Sequence, residues 1–138
     1  EWIKGALQAI KYLNKKKYNL FVATNQSGVA RGFYNEKQVM KIHQFIKQKL
    51  QLNDCYINNF YYCPYHKDAT VVKYKKDSVL RKPKNGMFLL IKKEWNVDPK
   101  SVFMIGDQKS DMEFAKNSKI TGILFGEKNL LNFVKKYF

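Results

Sequence analysis

Two carboxylates four residues apart, Asp107 and Asp111, follow a short apolar run that closes on a glycine, Val102-Phe103-Met104-Ile105-Gly106. The run is partly β-branched and has the pattern of a buried parallel strand emptying into an acidic loop. In open α/β sheets, ligands sit outside the carboxyl ends of the strands, so Asp107 stands where chemistry usually takes place. A hard divalent cation such as Mg2+ takes carboxylate oxygens at such a position. The same two residues also suit a structural part, with Asp107 capping the next helix and Asp111 a solvated acid of its first turn. On this stretch alone both readings stand.

Two other clusters could meet a phosphate. Thr24-Asn25-Gln26-Ser27-Gly28 follows the apolar Leu20-Phe21-Val22 and gathers small hydroxyl and amide side chains before a glycine. Such a loop can offer side-chain donors and backbone N–H groups to an anion, or it can be an ordinary polar turn. Arg81 and Lys82 precede Pro83; two adjacent cations held by a proline could clamp a phosphate or simply add surface charge. His43 has no second histidine or acidic partner at metal-ligand spacing and reads as a packed or solvated helix residue.

The elements that must position these residues follow from periodicity. Ile3, Ala6, Leu7, Ile10 and Leu13 predict an amphipathic helix over 2–15, and residues 18–24 predict a strand with Leu20, Phe21 and Val22 as its buried middle. Asn35 as N-cap, with Val39, Ile42, Ile46 and Leu50 on one face, predicts a helix over 36–50. Residues 57–62 predict a strand, 67–80 a basic excursion too short for a second domain, and 87–95 a helix. Asp98-Pro99 predicts a capped turn before the strand at 102–105. A short helix to about residue 118, a strand over 120–125 and a helix over 130–137 complete the chain. Strands alternating with helices imply an α/β domain, a parallel sheet covered by helices on both faces.

Composition narrows the class. The 138 residues fit one domain, and 45% hydrophobic with 15% aromatic residues is enough for one core. No apolar run approaches the roughly 20 residues needed to span a bilayer, and no signal-peptide pattern opens the chain, which predicts a cytoplasmic protein without a membrane partner. The two cysteines, Cys55 and Cys63, make no disulfide framework and are expected as reduced thiols. A net charge of +15 raises the question of a polyanion. The lysines, however, are scattered over every element, and arginine, favoured for base and phosphate forks, occurs only as Arg31 and Arg81. Nucleic acid is therefore not the expected partner.

The motifs Thr24-Asn25-Gln26-Ser27-Gly28-Val29-Ala30-Arg31-Gly32, Arg81-Lys82-Pro83 and Gly106-Asp107 with Asp111, in this order and on these elements, resemble the haloacid dehalogenase (HAD) superfamily of phosphatases. Within it the likeness is to the heptose bisphosphate phosphatases, with the histidinol-phosphate phosphatases as near relatives. The resemblance implies a three-layer Rossmann-like fold and roles for single positions. Thr24 would hydrogen-bond the transferring phosphoryl and Lys82 would neutralise it. Asp107 would ligate Mg2+, and Asp111 would complete the acidic metal motif. Asn25, Gln26, Ser27 and Arg81 would contact a small phosphorylated sugar, on an enzyme expected to be a monomer. The set is chemically sensible, because phosphoryl transfer needs positioning and charge neutralisation above all.

The chain departs from the family pattern twice. The family's zinc loop, Cys-x-His followed by Cys-x-Cys before Arg-Lys-Pro, falls here on Cys63, Tyr65, Ser78 and Leu80. One thiolate of four ligands remains, and His66 added to it still gives only two of a tetrahedral set, so the family's zinc site is expected to be lost. The second departure concerns the nucleophile, in the family the first aspartate of an Asp-x-Asp motif ending the first, central strand of the sheet. Residues 1–138 hold no such motif, and Asp54, Asp68, Asp77 and Asp98 lie in predicted loops. Two expectations follow: the chain is an N-terminally incomplete phosphatase domain lacking that strand, or it is a non-catalytic or polyanion-binding module that keeps the fold.

Overall fold

The computed structural model of the protein describes residues 2–138. Helices α1 (Ala6–Lys15), α2 (Ser27–Ala30), α3 (Glu36–Leu52), α4 (Gly86–Trp95), α5 (Lys109–Asn117) and α6 (Leu130–Tyr137) are interspersed with four strands. These are β1 (Phe21–Asn25), β2 (Asn59–Cys63), β3 (Phe103–Gly106) and β4 (Thr121–Leu124). Among the described residues no helix is long and apolar enough to cross a membrane.

The strands form two separate two-stranded sheets, β1 with β2 and β3 with β4. The second is parallel, in register from Phe103 opposite Thr121 to Gly106 opposite Leu124. In the first, Asn58 N–H donates to Leu20 O and, past the other end, Gln26 N–H donates to Cys63 O, both at 2.8 Å. Both segments therefore advance in the same direction. Leu20, Phe21 and Val22, expected as a buried middle, are only half-buried, and Phe103 and Leu124 are exposed.

The chain divides into two compact units. The first comprises residues up to Val22, Lys37–Phe60 and Gly126–Phe138. In it α1 packs on α6 through Ala9, Leu13, Phe133 and Val134, all buried. The predicted helix over 2–15 begins only at Ala6, because Gly5 takes φ 80°, outside the helical region. A Cβ there would meet the Asn129 side chain, whose Oδ1 caps α6 by accepting from Asn132 N–H. His43, on α3, stacks on Phe60 at 4.7 Å between centroids, and burial first, then Lys47, holds its imidazole below the ordinary value.

The second unit comprises Ala23–Glu36 and Tyr61–Phe125 and contains every residue that the sequence marks for chemistry. Its core includes Val29, Ala30, Cys63, Met87, Phe88, Ile91, Phe114 and Ala115. Trp95, at the end of α4, is 39% exposed and donates its indole N–H to Tyr61 Oη at 3.2 Å. Residues 64–80 hold no strand and only one short 3-10 turn, Val72–Tyr74. The unforeseen element is α2, one turn where a polar loop is expected.

Candidate active site

Strand β1 ends on Thr24 and Asn25, and the Asn25 side chain reaches the segment Arg81-Lys82-Pro83. Its Nδ2 donates to Lys82 O at 3.1 Å, and its Oδ1 accepts from Lys82 N–H at 3.0 Å. This is the pairing a neighbouring strand would make, supplied by one side chain. Asn25, expected to contact a sugar, thus has both amide atoms engaged in holding the Lys82 backbone. From the other side Asn117, at the end of α5, donates to Pro83 O at 2.8 Å and accepts at its own carbonyl from Asn85 Nδ2 at 3.2 Å.

The Lys82 side chain runs to the start of α5. Its Nζ lies 2.6 Å from Asp111 Oδ1, with the two side chains only 11% and 6% exposed. Asp111 Oδ2 accepts from Gln108 N–H at 3.1 Å. Gln108, with extended φ and ψ, is the N-cap of α5, and Asp111 stands at its third position. Both oxygens of Asp111 are therefore taken, one by the cation and one by the cap. Gly106 permits this approach, since a Cβ there would fall on the Asp111 side chain.

The cap at Gln108 releases Asp107 from the structural part open to it in the sequence. Asp107 follows β3 directly, is exposed, and its carboxylate makes no ion pair or side-chain hydrogen bond among the described residues. It is the carboxylate at this strand end left to meet a cation. Among the described residues no three His, Cys, Asp or Glu side chains gather closely enough to hold a metal. Residues 2–138 thus fit a Mg2+ site as contributors of one carboxylate, not as a complete cage.

Thr24 sits in a short polar relay. Gln26 Nε2 donates to Thr24 Oγ1 at 3.3 Å, and Tyr34 Oη donates to Gln26 Oε1 at 2.6 Å. Gln26 fills an acceptor position of the hydroxyl, which leaves the Thr24 proton as its means of meeting an anion; among the described residues that proton has only Asn25 O, at a long 3.4 Å. Ser27 begins α2. Arg81 is half-buried, and its Nη1 is buried without a hydrogen-bond partner among the described residues. A guanidinium nitrogen so placed is a donor suited to an anion.

At the family's zinc positions, Cys63 is fully buried and its Sγ donates to Tyr65 O at 3.8 Å, while buried Ser78 accepts at Oγ from Leu80 N–H at 3.1 Å. Burial above all pushes the Cys63 thiol up, so it is protonated near neutral pH. His66 Nδ1 accepts from Asp68 N–H at 3.0 Å.

Sequence reasoning did not single out Tyr34, Gln108, Asn85 or Asn117. Each acts through a partner distant in the chain or through local backbone geometry, for which periodicity carries no signal.

A parallel strand ending in an unengaged aspartate, beside a lysine braced from β1 and α5, is the arrangement of a HAD-like hydrolase, and residues 79–127 match the HAD-hydrolase-like family model. The curated D-glycero-beta-D-manno-heptose-1,7-bisphosphate 7-phosphatase of Rhodopseudomonas palustris is 38% identical over 135 residues, 98% of this chain and 75% of that protein. That of Photorhabdus laumondii is 39% identical over 120 residues, 87% of this chain and 64% of that protein, so the chain spans about two thirds to three quarters of these relatives. In fold it is similar to the D,D-heptose 1,7-bisphosphate phosphatase of B. bronchiseptica, solved with magnesium and phosphate, at a TM-score of 0.82 and 24% identity over 96% of this chain and 80% of that one. The chain belongs to the D-glycero-D-manno-heptose-1,7-bisphosphate 7-phosphatase family of HAD-like hydrolases.

Proposed function

We propose that this chain forms most of the body of a Mg2+-dependent phosphatase that removes one phosphate from D-glycero-D-manno-heptose 1,7-bisphosphate. The observation that carries the reading is the bracing of Lys82 by Asn25 and Asp111, which holds one ammonium group at the end of the sheet before any substrate arrives. Preorganised charge of this kind acts on the charge that develops in a phosphoryl-transfer transition state and needs no reorganisation at the moment of reaction. Lys82 neutralises the phosphoryl oxygens. Thr24, fixed as a donor by Gln26, hydrogen-bonds one of them, and Arg81 offers its unsatisfied Nη1 to a substrate anion. Gln26 and Ser27 line the same turn. Asn25 and Asp111 act through Lys82.

Asp107 is the carboxylate that would hold Mg2+; when bound, the metal would orient and neutralise the phosphoryl group. The reading includes an aspartate nucleophile on a strand between β1 and β3, whose carboxylate oxygen would bond to phosphorus as the bond from phosphorus to the sugar oxygen breaks, water then releasing phosphate from the aspartyl-phosphate. The separation of the strands into two two-stranded sheets supports such a strand. Loss of the zinc site belongs to the same reading, supported by Tyr65, Ser78 and Leu80 at the ligand positions. So does a cytoplasmic location, in keeping with two buried free thiols.

The test is phosphate release from the heptose bisphosphate by the intact protein, with and without Mg2+. Metal-dependent turnover that falls about 10²-fold or more in Lys82→Ala is expected. Release from histidinol phosphate alone would move the substrate, and turnover indifferent to Lys82 would remove the mechanism.

A further inference from the structure

The segment from Pro64 to Leu80 leads directly into Arg81 and Lys82, yet very little of ordinary structure holds it. It contains one 3-10 turn and one isolated parallel bridge, His66 with Lys75; of its valines, Val72 is 83% exposed while Val71 is half-buried, and Val79 is 65% exposed. Among the described residues it meets no metal cluster.

Besides these backbone bonds, two side-chain hydrogen bonds converge on one carboxylate. Glu36, the first residue of α3, accepts at Oε1 from Tyr62 Oη on β2 and at Oε2 from Tyr74 Oη in the 3-10 turn, each at 2.8 Å. Tyr74 is a node of the segment: its carbonyl accepts from His66 N–H at 3.1 Å, its N–H donates to Val71 O at 3.0 Å, and its ring lies 6.0 Å from that of Tyr65. Val71 N–H in turn donates to Ala30 O of α2, the turn that follows Thr24 and Ser27, at 3.0 Å. One acid thus ties the excursion to β2, while the next residues along it rest on α2.

We propose that Glu36 is a positioning residue: by accepting the hydroxyls of Tyr62 and Tyr74 it holds residues 64–80 against α2 and sets the approach of Arg81 to the site. The bonds are charge-assisted, with an ionised acceptor, and are stronger than bonds between neutral groups. Both oxygens are used, so the carboxylate fixes orientation as well as distance. An amide in its place keeps only one acceptor. The consequence for turnover rests on the phosphatase reading; the tether itself does not.

The experiment is limited trypsin digestion of the intact protein, following cleavage after Lys67, Lys73, Lys75 and Lys76, in parallel with steady-state kinetics on the heptose bisphosphate. Tyr74→Phe removes one surface hydroxyl and leaves the core untouched. It is expected to raise the initial rate of cleavage in 67–76 about tenfold relative to cleavage elsewhere, because local opening sets that rate. Glu36→Gln should do the same, and Tyr74→Phe added to Glu36→Ala should add nothing further. In the kinetic arm KM should rise about tenfold in Tyr74→Phe with kcat changed less than threefold. Wild-type cleavage in both Tyr74→Phe and Glu36→Gln overturns the proposal whatever the kinetics show. Faster cleavage with unchanged KM leaves a tether but removes its part in positioning. A wild-type protein without phosphatase activity leaves the digestion arm decisive and counts against the functional reading alone.

Discussion

Lys82 Nζ lies 2.6 Å from Asp111 Oδ1, and neither side chain is more than 11% exposed. A pair so placed is not a surface ornament. Its two charges have left water, and their mutual attraction together with the Gln108 N–H on Asp111 Oδ2 must offset that loss. Asp111→Ala leaves a buried cation without its acid, a change that costs about 3–5 kcal/mol. We expect a clear fall in the urea midpoint for Asp111→Ala, and a partial recovery when Lys82→Met is added, because the buried charge left without a partner is then removed. The double variant should remain without phosphatase activity. If Asp111→Ala unfolds at the wild-type midpoint, the pair is not buried in solution.

A second expectation separates geometry from charge. Gly106→Ala adds one methyl group, changes no titratable residue, and places a Cβ where the Asp111 side chain stands. Backbone cannot yield easily here, since Phe125 N–H donates to Gly106 O at 2.7 Å and holds it in the β3–β4 sheet. Asp111 must then move, and Lys82 with it. Turnover should fall about 10²-fold, a loss comparable with removing a transition-state donor. Wild-type kinetics in Gly106→Ala would show that Lys82 acts without its partner.

How far the sequence reveals this arrangement depends on the reach of each interaction. Elements carried by local pattern are legible: α6 spans Leu130–Tyr137 as periodicity predicts, and β3 lies within one residue of the expected apolar run. Thr24 and Asp107 stand out because polar residues follow apolar strands at sheet ends, where side chains meet ligands, and Lys82 because it stands between Arg81 and Pro83. The supports are a different matter. Asn25 and Lys82 are 57 residues apart, and an asparagine at a strand end looks like any turn residue until its partner is known. Glu36 reads as a favourable acid in the first turn of a helix, which hides that both its oxygens serve tyrosines 26 and 38 residues away. Gln108 displaces Asp107 as cap because its backbone, not its side-chain preference, has the extended geometry of that position.

The loop at the former zinc positions yields a third expectation. Cys63 is buried against Tyr65 O with its thiol pushed up by burial, and Ser78 is turned onto Leu80 N–H. Structural zinc binding to such a loop would require a thiolate and three more ligands. Elemental analysis of the purified protein should find no stoichiometric zinc, and a strong chelator should shift neither the thermal midpoint nor the tryptic cleavage rate in 67–76. One zinc per chain, with chelator-dependent melting, would falsify the assignment of the tether to Glu36 alone.

The Glu36 cluster also fixes a pH window, and the signs can be worked out group by group. The Tyr74 hydrogen bond first, and that of Tyr62 next, hold the Glu36 carboxyl below its ordinary value. A carboxyl lowered on folding contributes its full stabilisation above its unfolded value of about 4.3 and loses it as pH falls through the folded value. Tyr62 moves the other way: burial first, then its bond to Glu36, push it up to about 12. A phenol raised on folding contributes in full below its unfolded value of about 10, and that contribution is lost as pH rises through about 12. The tether should therefore be intact between roughly pH 5 and 10, weaken below the carboxylate range, and fail on the alkaline side. Ring resonances of Tyr62 and Tyr74, assigned by difference from Tyr62→Phe and Tyr74→Phe, report both limits in one NMR titration. Tyr62 is expected to ionise near 12, and the Tyr74 ring to shift on the acid side together with the Glu36 carboxyl. In Glu36→Gln the acid-side shift should vanish, and Tyr62 should ionise earlier, because one cause of its displacement is gone. Ionisation of Tyr62 at the ordinary phenol value in the wild-type protein, or an acid-side shift that survives in Glu36→Gln, would show that the carboxylate does not hold these hydroxyls in solution.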